Sequence, residues 1–119
     1  MKKPNVTTKE AEIILKIVNV KKMRIVPEDF RMGLEVELEH GTVFDDANVT
    51  NNHPILTGMI VLAHMKETLD YYERLDVAEI EGGLLKAVLS KNLDKIRTKY
   101  KKLIEAQAFL NKVVSAQLK

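Results

Sequence analysis

The feature that most constrains this chain is a long, uninterrupted helical pattern in its last third. From residue 89 onwards, seam positions recur at alternating steps of four and three, with neither Gly nor Pro among them. An average spacing of ~3.5 residues is typical of a helix that buries one stripe against another helix, as in a coiled coil. The seam positions are Leu89, Leu93, Ile96, Tyr100, Leu103, Gln107, Leu110, Val114 and Gln117.

A helix of this length reaches beyond a small domain. At ~1.5 Å per residue, about 33 residues extend roughly 50 Å, against ~30 Å for the domain. We therefore expect the seam to bind another helix, from a protein partner or from a second copy in a homo-oligomer or larger assembly. The alternative is an antiparallel hairpin that closes the seam on the protein's own helices. Gln107 is a polar seam residue of the kind that fixes register and partner number.

The chain before this segment reads as a small helical bundle. Thr7 and Glu10 have the spacing of a capping box, which predicts a helix near 7–18. Pro27 suits the first turn of a second helix, and Gly41 is placed to end that helix as the residue just past its C-terminus. The next loop holds four short polar residues that can cap a third helix, namely Asn48, Thr50, Asn51 and Asn52.

The third helix is predicted at 54–66 and is apolar on most sides, which places it at the centre of a bundle. A fourth helix is predicted from about 70 to 80, and Gly82-Gly83 is expected to end it. The predicted fold is therefore all-α, with a helical bundle over 1–83 and a long, basic, coiled-coil-like helix over 84–119 as an extension of the same domain.

Composition narrows the class of protein further. The chain has 119 residues and no cysteine, which excludes disulfides and thiolate metal sites. Its N-terminus lacks the apolar segment of a signal peptide. The longest apolar run, 59–63, is too short to cross a bilayer. We expect a protein of the cytoplasm, or of a virion assembled in the host cytoplasm, with no membrane partner.

The net charge of +2 conceals three segments of different sign. Residues 1–24 carry a net +5, residues 28–81 a net −10, and residues 84–119 a net +7. Such a chain folds its basic ends onto its acidic middle, offers opposite faces to different partners, or associates with copies of itself.

Several motifs in the middle of the chain resemble an uncharacterised family of small helical domains from bacteria, phages and giant viruses. The resemblance covers about 28–75 and implies an all-α domain in a phage or viral context, with no particular activity. The motifs are Phe30-Arg31-Met32-Gly33-Leu34-Glu35-Val36-Glu37-Leu38-Glu39-His40-Gly41, Asn48-Val49-Thr50, Thr57-Gly58, Leu62-Ala63-His64 and Tyr71-Tyr72.

One set of polar residues has metal-ligand spacing. Glu37 and His40 are three residues apart on one predicted helix, and His64 and Glu67 repeat that spacing on another. Two Glu/His pairs on facing helices resemble part of the ligand set of carboxylate metal sites in bundles. The alternative is structural, with the glutamates at the surface, His40 as a favourable cation at a helix C-terminus and His64 as a hydrogen-bonded core residue. We expect no cofactor.

Catalytic and phosphate-loop signatures are weak in this sequence, since the only serines lie in the tail and Gly82-Gly83 lacks a following Lys-Ser/Thr. A lysine stripe on the last helix instead offers sequence-independent contacts to nucleic acid, with charged flanks of a helical seam as its structural alternative. The stripe comprises Lys91, Lys95, Lys99, Lys101 and Lys102. A pairing of Arg31 with Glu35 is predicted as an ordinary ion pair.

The sequence therefore favours a non-enzymatic helical interaction or assembly module that docks or oligomerises through its C-terminal helix. In the context that the resemblance implies, such a module would be a virion-associated or capsid-accessory protein. Nucleic-acid binding through the lysine stripe is the alternative, and a metal-binding helical protein is the second alternative.

Overall fold

The computed structural model of the protein describes residues 4–119, and this part of the chain is all-helical as predicted. It forms two compact units, one that ends at Leu69 and one that spans Asp70–Lys119. The helices are α1 (Thr8–Val18), α2 (Pro27–Val43), a short 3-10 helix (Asp45–Ala47), α3 (Pro54–Glu67), α4 (Tyr71–Leu89) and α5 (Leu93–Gln117).

The start of α1 confirms the predicted capping box. The Glu10 amide donates to the Thr7 hydroxyl at 3.1 Å, and the Thr7 amide donates to the Glu10 carboxylate at 3.0 Å. These two bonds satisfy backbone donors that have no partner within the helix. The bond that the Glu10 carboxylate accepts from the Thr7 amide also holds the pKa of this carboxyl below its usual value, since a carboxylate that accepts hydrogen bonds is stabilised in its charged form.

The second helix begins as predicted at Pro27 but does not end at Gly41. It continues to Val43, where the Phe44 amide bonds to the His40 carbonyl at 2.9 Å. On its surface, the Arg31 guanidinium contacts Glu28 at 2.6 Å and Glu35 at 2.9 Å, which confirms the predicted pairing with Glu35.

The cap of α3 differs from the prediction. His53, and not one of the four loop residues proposed as caps, accepts hydrogen bonds through Nδ1 from the amides of Ile55 and Leu56. The loop residues bond to one another instead, and two of them, Asn51 and Asn52, adopt left-handed backbone angles.

The apolar third helix packs against both α1 and α2, which also pack against each other, so all three helices share one core. Its predicted central position is wrong, because Leu56 and Met59 are 47% and 55% exposed. Gly58 allows its close approach to α1, because a Cβ at this position would lie 2.6 Å from Cγ2 of Ile14. Phe30, Leu34, Thr57 and Val61 are the largest fully buried side chains.

The second unit is a helical hairpin. The fourth helix runs straight through Gly82-Gly83 to Leu89, so the predicted break is wrong and the predicted boundary at residue 83 falls inside α4. The break comes at Ser90–Asn92, where Lys91 adopts a left-handed backbone conformation with a φ of 56°. The Asn92 amide bonds to the Ala87 carbonyl and the Lys91 amide to the Val88 carbonyl. This is a Schellman motif, in which a lysine occupies the place that glycine usually takes.

Two contacts fix the antiparallel register of the hairpin. Near the turn, the side chain of Lys99 passes over Gly83, where its Cε lies 3.3 Å from the position of an added Cβ. At the far end, the Gln117 amide nitrogen donates to Asp70 at 3.0 Å. Asp70 is 2% exposed and also accepts from Arg74 at 2.7 and 3.1 Å.

A pair of glycine substitutions tests the packing of α3. We expect Gly58→Ala to destabilise the protein by about 1–3 kcal/mol, because the new methyl group would overlap Ile14. Gly82→Ala is the matched control: no atom lies within 4 Å of its Cβ position, so better helix propensity should stabilise by about 0.5–1 kcal/mol. Urea unfolding followed by circular dichroism measures both changes. Equal effects of the two substitutions would contradict the packing described here.

Candidate functional site

Half of the predicted seam is used within the chain. Ile96, Leu103 and Leu110 are half-buried, and Ala106 between them is 9% exposed, on the side of α5 that packs against α4. The expectation that the whole seam binds another chain is therefore wrong at these positions, and the hairpin alternative holds. The turn between α4 and α5 is short, so closing the hairpin costs little conformational entropy. Part of the seam is therefore buried against α4 of the same chain.

The other half of the seam remains exposed. Leu89, Leu93 and Tyr100 are 72%, 59% and 55% exposed, and Gln107 is also exposed. Gln107 therefore does not fix register inside the hairpin. That role belongs to Gln117 through its bond to Asp70. Val114 is half-buried near the end of the helix.

Several exposed apolar side chains lie on one flank of the hairpin, whereas Leu85, Leu89 and Phe109 are exposed elsewhere on its surface. A helix turns by about 100° per residue, so relative to Leu103 the side chains of Leu93, Tyr100 and Ile104 lie about 60–100° to one side. On α4, relative to buried Ala87, Leu84 and Val88 lie about 60° and 100° to the same side. Because the two helices are antiparallel neighbours, equal rotations bring both sets to the same flank. We call this surface the apolar face. Its members are the exposed residues Val88, Leu93, Tyr100 and Ile104, together with the half-buried Leu84.

Lysines gather on the opposite flank. Lys95 and Lys102 lie about 80–100° from Leu103 in the other direction, and Lys86 lies about 100° from Ala87 in that direction. Between the two helices here is an open cleft of about 540 Å³. We call it the lysine cleft, and its lining is Gly83, Lys86, Ala87, Ser90, Asp94, Lys95, Thr98 and Lys99.

The predicted lysine stripe is only partly assembled. Lys95 and Lys99 line the cleft, and Lys102 follows one turn later on the same flank. Lys91 lies in the hairpin turn, while Lys101 is rotated about 160° from Leu103 and points away from both flanks.

Sequence reasoning missed four of the apolar and basic side chains on these surfaces. Leu84, Val88 and Lys86 lie on the stretch of α4 beyond Gly82-Gly83, which the sequence analysis assigns to the long last helix. Ile104 belongs to a second apolar stripe, with Leu93 and Tyr100, whose spacing of seven and four was visible in the sequence.

A second cleft lies in the first unit, beside the end of α2. It measures about 310 Å³ and is lined by residues from two of the motifs that carry the family resemblance, together with Phe44, Ala47 and Ile60. The motif residues in its lining are Glu37, His40, Gly41, Asn48, Val49 and Thr50. The Asn48 side chain bonds to Asn52 at 2.9 Å and accepts from Thr50 at 3.3 Å, so the loop wall of the cleft is internally braced.

The four proposed metal ligands are not gathered into one site. Glu37 and His64 do meet across α2 and α3, with Nδ1 of the histidine 3.0 Å from the carboxylate. His40 lines the cleft, and Glu67 is exposed at the end of α3. Across residues 4–119, no three His, Asp or Glu side chains are placed to hold one metal ion. The contact between Glu37 and His64 therefore links α2 to α3.

Substitution of Gly41 tests how the loop is held. A Cβ here would lie 2.9 Å from the Asn48 side chain, so we expect Gly41→Ala to displace Asn48 and break its bonds to Thr50 and Asn52. Hydrogen exchange of residues 44–53 should accelerate, with little change in α1 or α5. Unchanged protection of that loop would show that Gly41 is not required for its packing.

Adjacent substitutions on α5 test the assignment of its two sides. We expect Leu103→Asp to destabilise the hairpin by about 2–3 kcal/mol, because it places a charge between packed helices. Ile104 is 55% exposed, so Ile104→Asp should change unfolding by about 0.5 kcal/mol or less. Thermal unfolding at low protein concentration compares the two, and a larger loss for Ile104→Asp would reverse the assignment.

The structure thus defines an all-helical protein with a three-helix unit and a two-faced hairpin. A sequence profile of the family described as protein of unknown function (DUF5661) matches residues 4–81, and the chain belongs to this family. No curated protein and no solved structure matches the chain. Within residues 4–119, no helix combines the length and the apolar character needed to cross a membrane.

Proposed function

We propose that this protein is a non-enzymatic helical interaction module that assembles with a second copy of itself through the apolar face of its hairpin. The observation that carries the proposal is the exposure of Leu93, Tyr100 and Ile104, at 59%, 55% and 55%, on a single flank of α5. Val88 of α4, 49% exposed, extends the same surface. A contiguous patch of large apolar side chains is typical of a protein-binding surface, whereas isolated exposed apolar residues are not.

The charges at the edges of the apolar face support a second copy as the occupant. Glu81 borders the face on α4 and Arg97 borders it on α5, each about 120° from the buried line of its helix. Two copies related by a two-fold axis along the helices would place α4 of one over α5 of the other. Opposite charges would then meet at both edges, around a four-helix core.

We propose in addition a biological setting for this module. The motifs of α2 and α3 resemble domains from phages and giant viruses, and a small protein that self-associates through a helical hairpin suits a virion-associated or capsid-accessory component. Such a protein would act in the host cytoplasm, where virions assemble. A particle purified with this chain as a stoichiometric component would support that setting.

Native mass spectrometry of the full chain tests the assembly. We expect a dimer for the wild type and a monomer for the variant that carries Leu93→Asp and Ile104→Asp, because carboxylates would be buried in the interface. Phe109→Asp is the matched control: Phe109 is 49% exposed but lies about 120° from Leu103 on the other flank, so its variant should remain dimeric.

Two results would contradict the proposal. A wild-type chain that stays monomeric at concentrations of ~100 μM would exclude self-association of useful affinity, since that corresponds to a free energy of binding weaker than about −5.5 kcal/mol. Equal loss of the dimer in the Phe109→Asp control would show that the interface is not the apolar face.

A further inference from the structure

The lysine cleft combines cations from two helices that sequence reasoning had not joined. Lys86 comes from α4, whereas Lys95 and Lys99 come from the first two turns of α5. The absence of a Cβ at Gly83 lets the Lys99 side chain lie across α4, with its Nζ 3.5 Å from the Cβ position there. The hairpin thereby brings three lysines to the lining of one open cleft of about 540 Å³.

These lysines are not neutralised within the described part of the chain. Within residues 4–119, none of Lys86, Lys95, Lys99 and Lys102 forms an ion pair. Asp94 is the one carboxylate in the lining, and it makes no ion pair with them. The excess of positive charge is therefore available to an external anion.

The other polar groups in the lining are already used as donors. The Ser90 hydroxyl donates to the Ala87 carbonyl at 3.1 Å, and the Thr98 hydroxyl donates to the Asp94 carbonyl at 3.0 Å. The lysines are thus the side chains left to contact an anion, and the cleft contains no arginine and no aromatic side chain. It therefore offers no platform for stacking bases.

We propose that the lysine cleft binds the sugar-phosphate backbone of nucleic acid without reading its sequence. Lysine binds phosphate as a point charge, and a row of such charges matches a polymer with regularly spaced anions. From Lys95 to Lys102 the helix rises about 10 Å, the length over which one strand of a duplex carries about three phosphates. The flank opposite the apolar face remains open in the proposed dimer, so each dimer would present two such clefts.

This inference is independent of the proposed dimer. A monomeric chain with a functional cleft would still bind nucleic acid, and a dimer with neutralised clefts would still assemble. The variants that test the two surfaces lie on opposite flanks of the hairpin, so the failure of one proposal is distinguishable from the failure of the other.

The test uses fluorescence anisotropy of the full chain with labelled duplex DNA of random sequence. For contacts by Lys86, Lys95, Lys99 and Lys102, log affinity should fall against log salt with a slope of about −3.6, or roughly 150-fold between 50 and 200 mM. Joint substitution of Lys86, Lys95 and Lys99 by Gln should reduce the slope to about −1.

The matched control removes the same charge elsewhere. Lys9, Lys16 and Lys21 are exposed residues of the first unit, and their joint substitution by Gln should leave the salt slope unchanged. If both triple variants weakened DNA binding equally, the proposal would be overturned, because binding would then depend only on the net charge of the protein. Polyglutamate that competes as well as DNA, charge for charge, would also overturn it and would assign the cleft to acidic proteins.

Discussion

The second unit depends on one buried carboxylate. Asp70 stands at the start of α4, is 2% exposed, and is held by Arg74 on its own helix and by Gln117 at the far end of α5. The hydrogen bond to Asp70 raises the pKa of Arg74 still further above its usual value, so this guanidinium stays charged at every physiological pH. A buried carboxylate is costly without such partners, and only an α5 that lies antiparallel on α4 brings Gln117 within reach. The contact therefore fixes both the direction and the register of the long helix.

Once register is fixed, the helical repeat decides what each flank exposes. The steps of three and four along α5 turn Ile96, Leu103 and Leu110 toward α4. Residues rotated about the helix axis by about 60–100° from this line in one direction lie on one edge, and residues rotated by a similar angle in the other direction lie on the opposite edge. The first edge carries Tyr100 and Ile104, and the second carries the lysines. The two proposed binding surfaces are consequences of one packing arrangement, and neither requires a change of fold.

The sequence allowed much of this architecture to be predicted, and the errors have identifiable causes. The capping box at Thr7, the start of α2 at Pro27 and the presence of α3 follow from local rules, and the structure confirms them. The helix break was placed at Gly82-Gly83 because glycine usually supplies the left-handed residue at a helix end. Here Lys91 supplies it, at a position with no sequence signal. That single error displaced the hairpin turn, hid Lys86 and Val88, and made α5 seem long enough to need an external partner. Among residues 4–119 the proposed metal ligands do not form a group of three, although Glu37 and His64 meet, because residues three apart on one helix share a side but facing helices need not align both pairs.

The central claim is that α5 folds back on α4 within one chain. Since the protein has no cysteine, spin labels introduced at Ala78→Cys and Lys112→Cys, both exposed, report on this arrangement alone. Double electron–electron resonance measures the distance between the two labels. Dilution of the labelled protein with an excess of unlabelled protein restricts the measurement to labels within one chain. A closed hairpin predicts a separation of about 20 Å between the labels, from the helical rise and the ~10 Å between packed axes. A separation of about 50 Å, the length of a continuous helix between those residues, would contradict the hairpin and both surfaces that it creates.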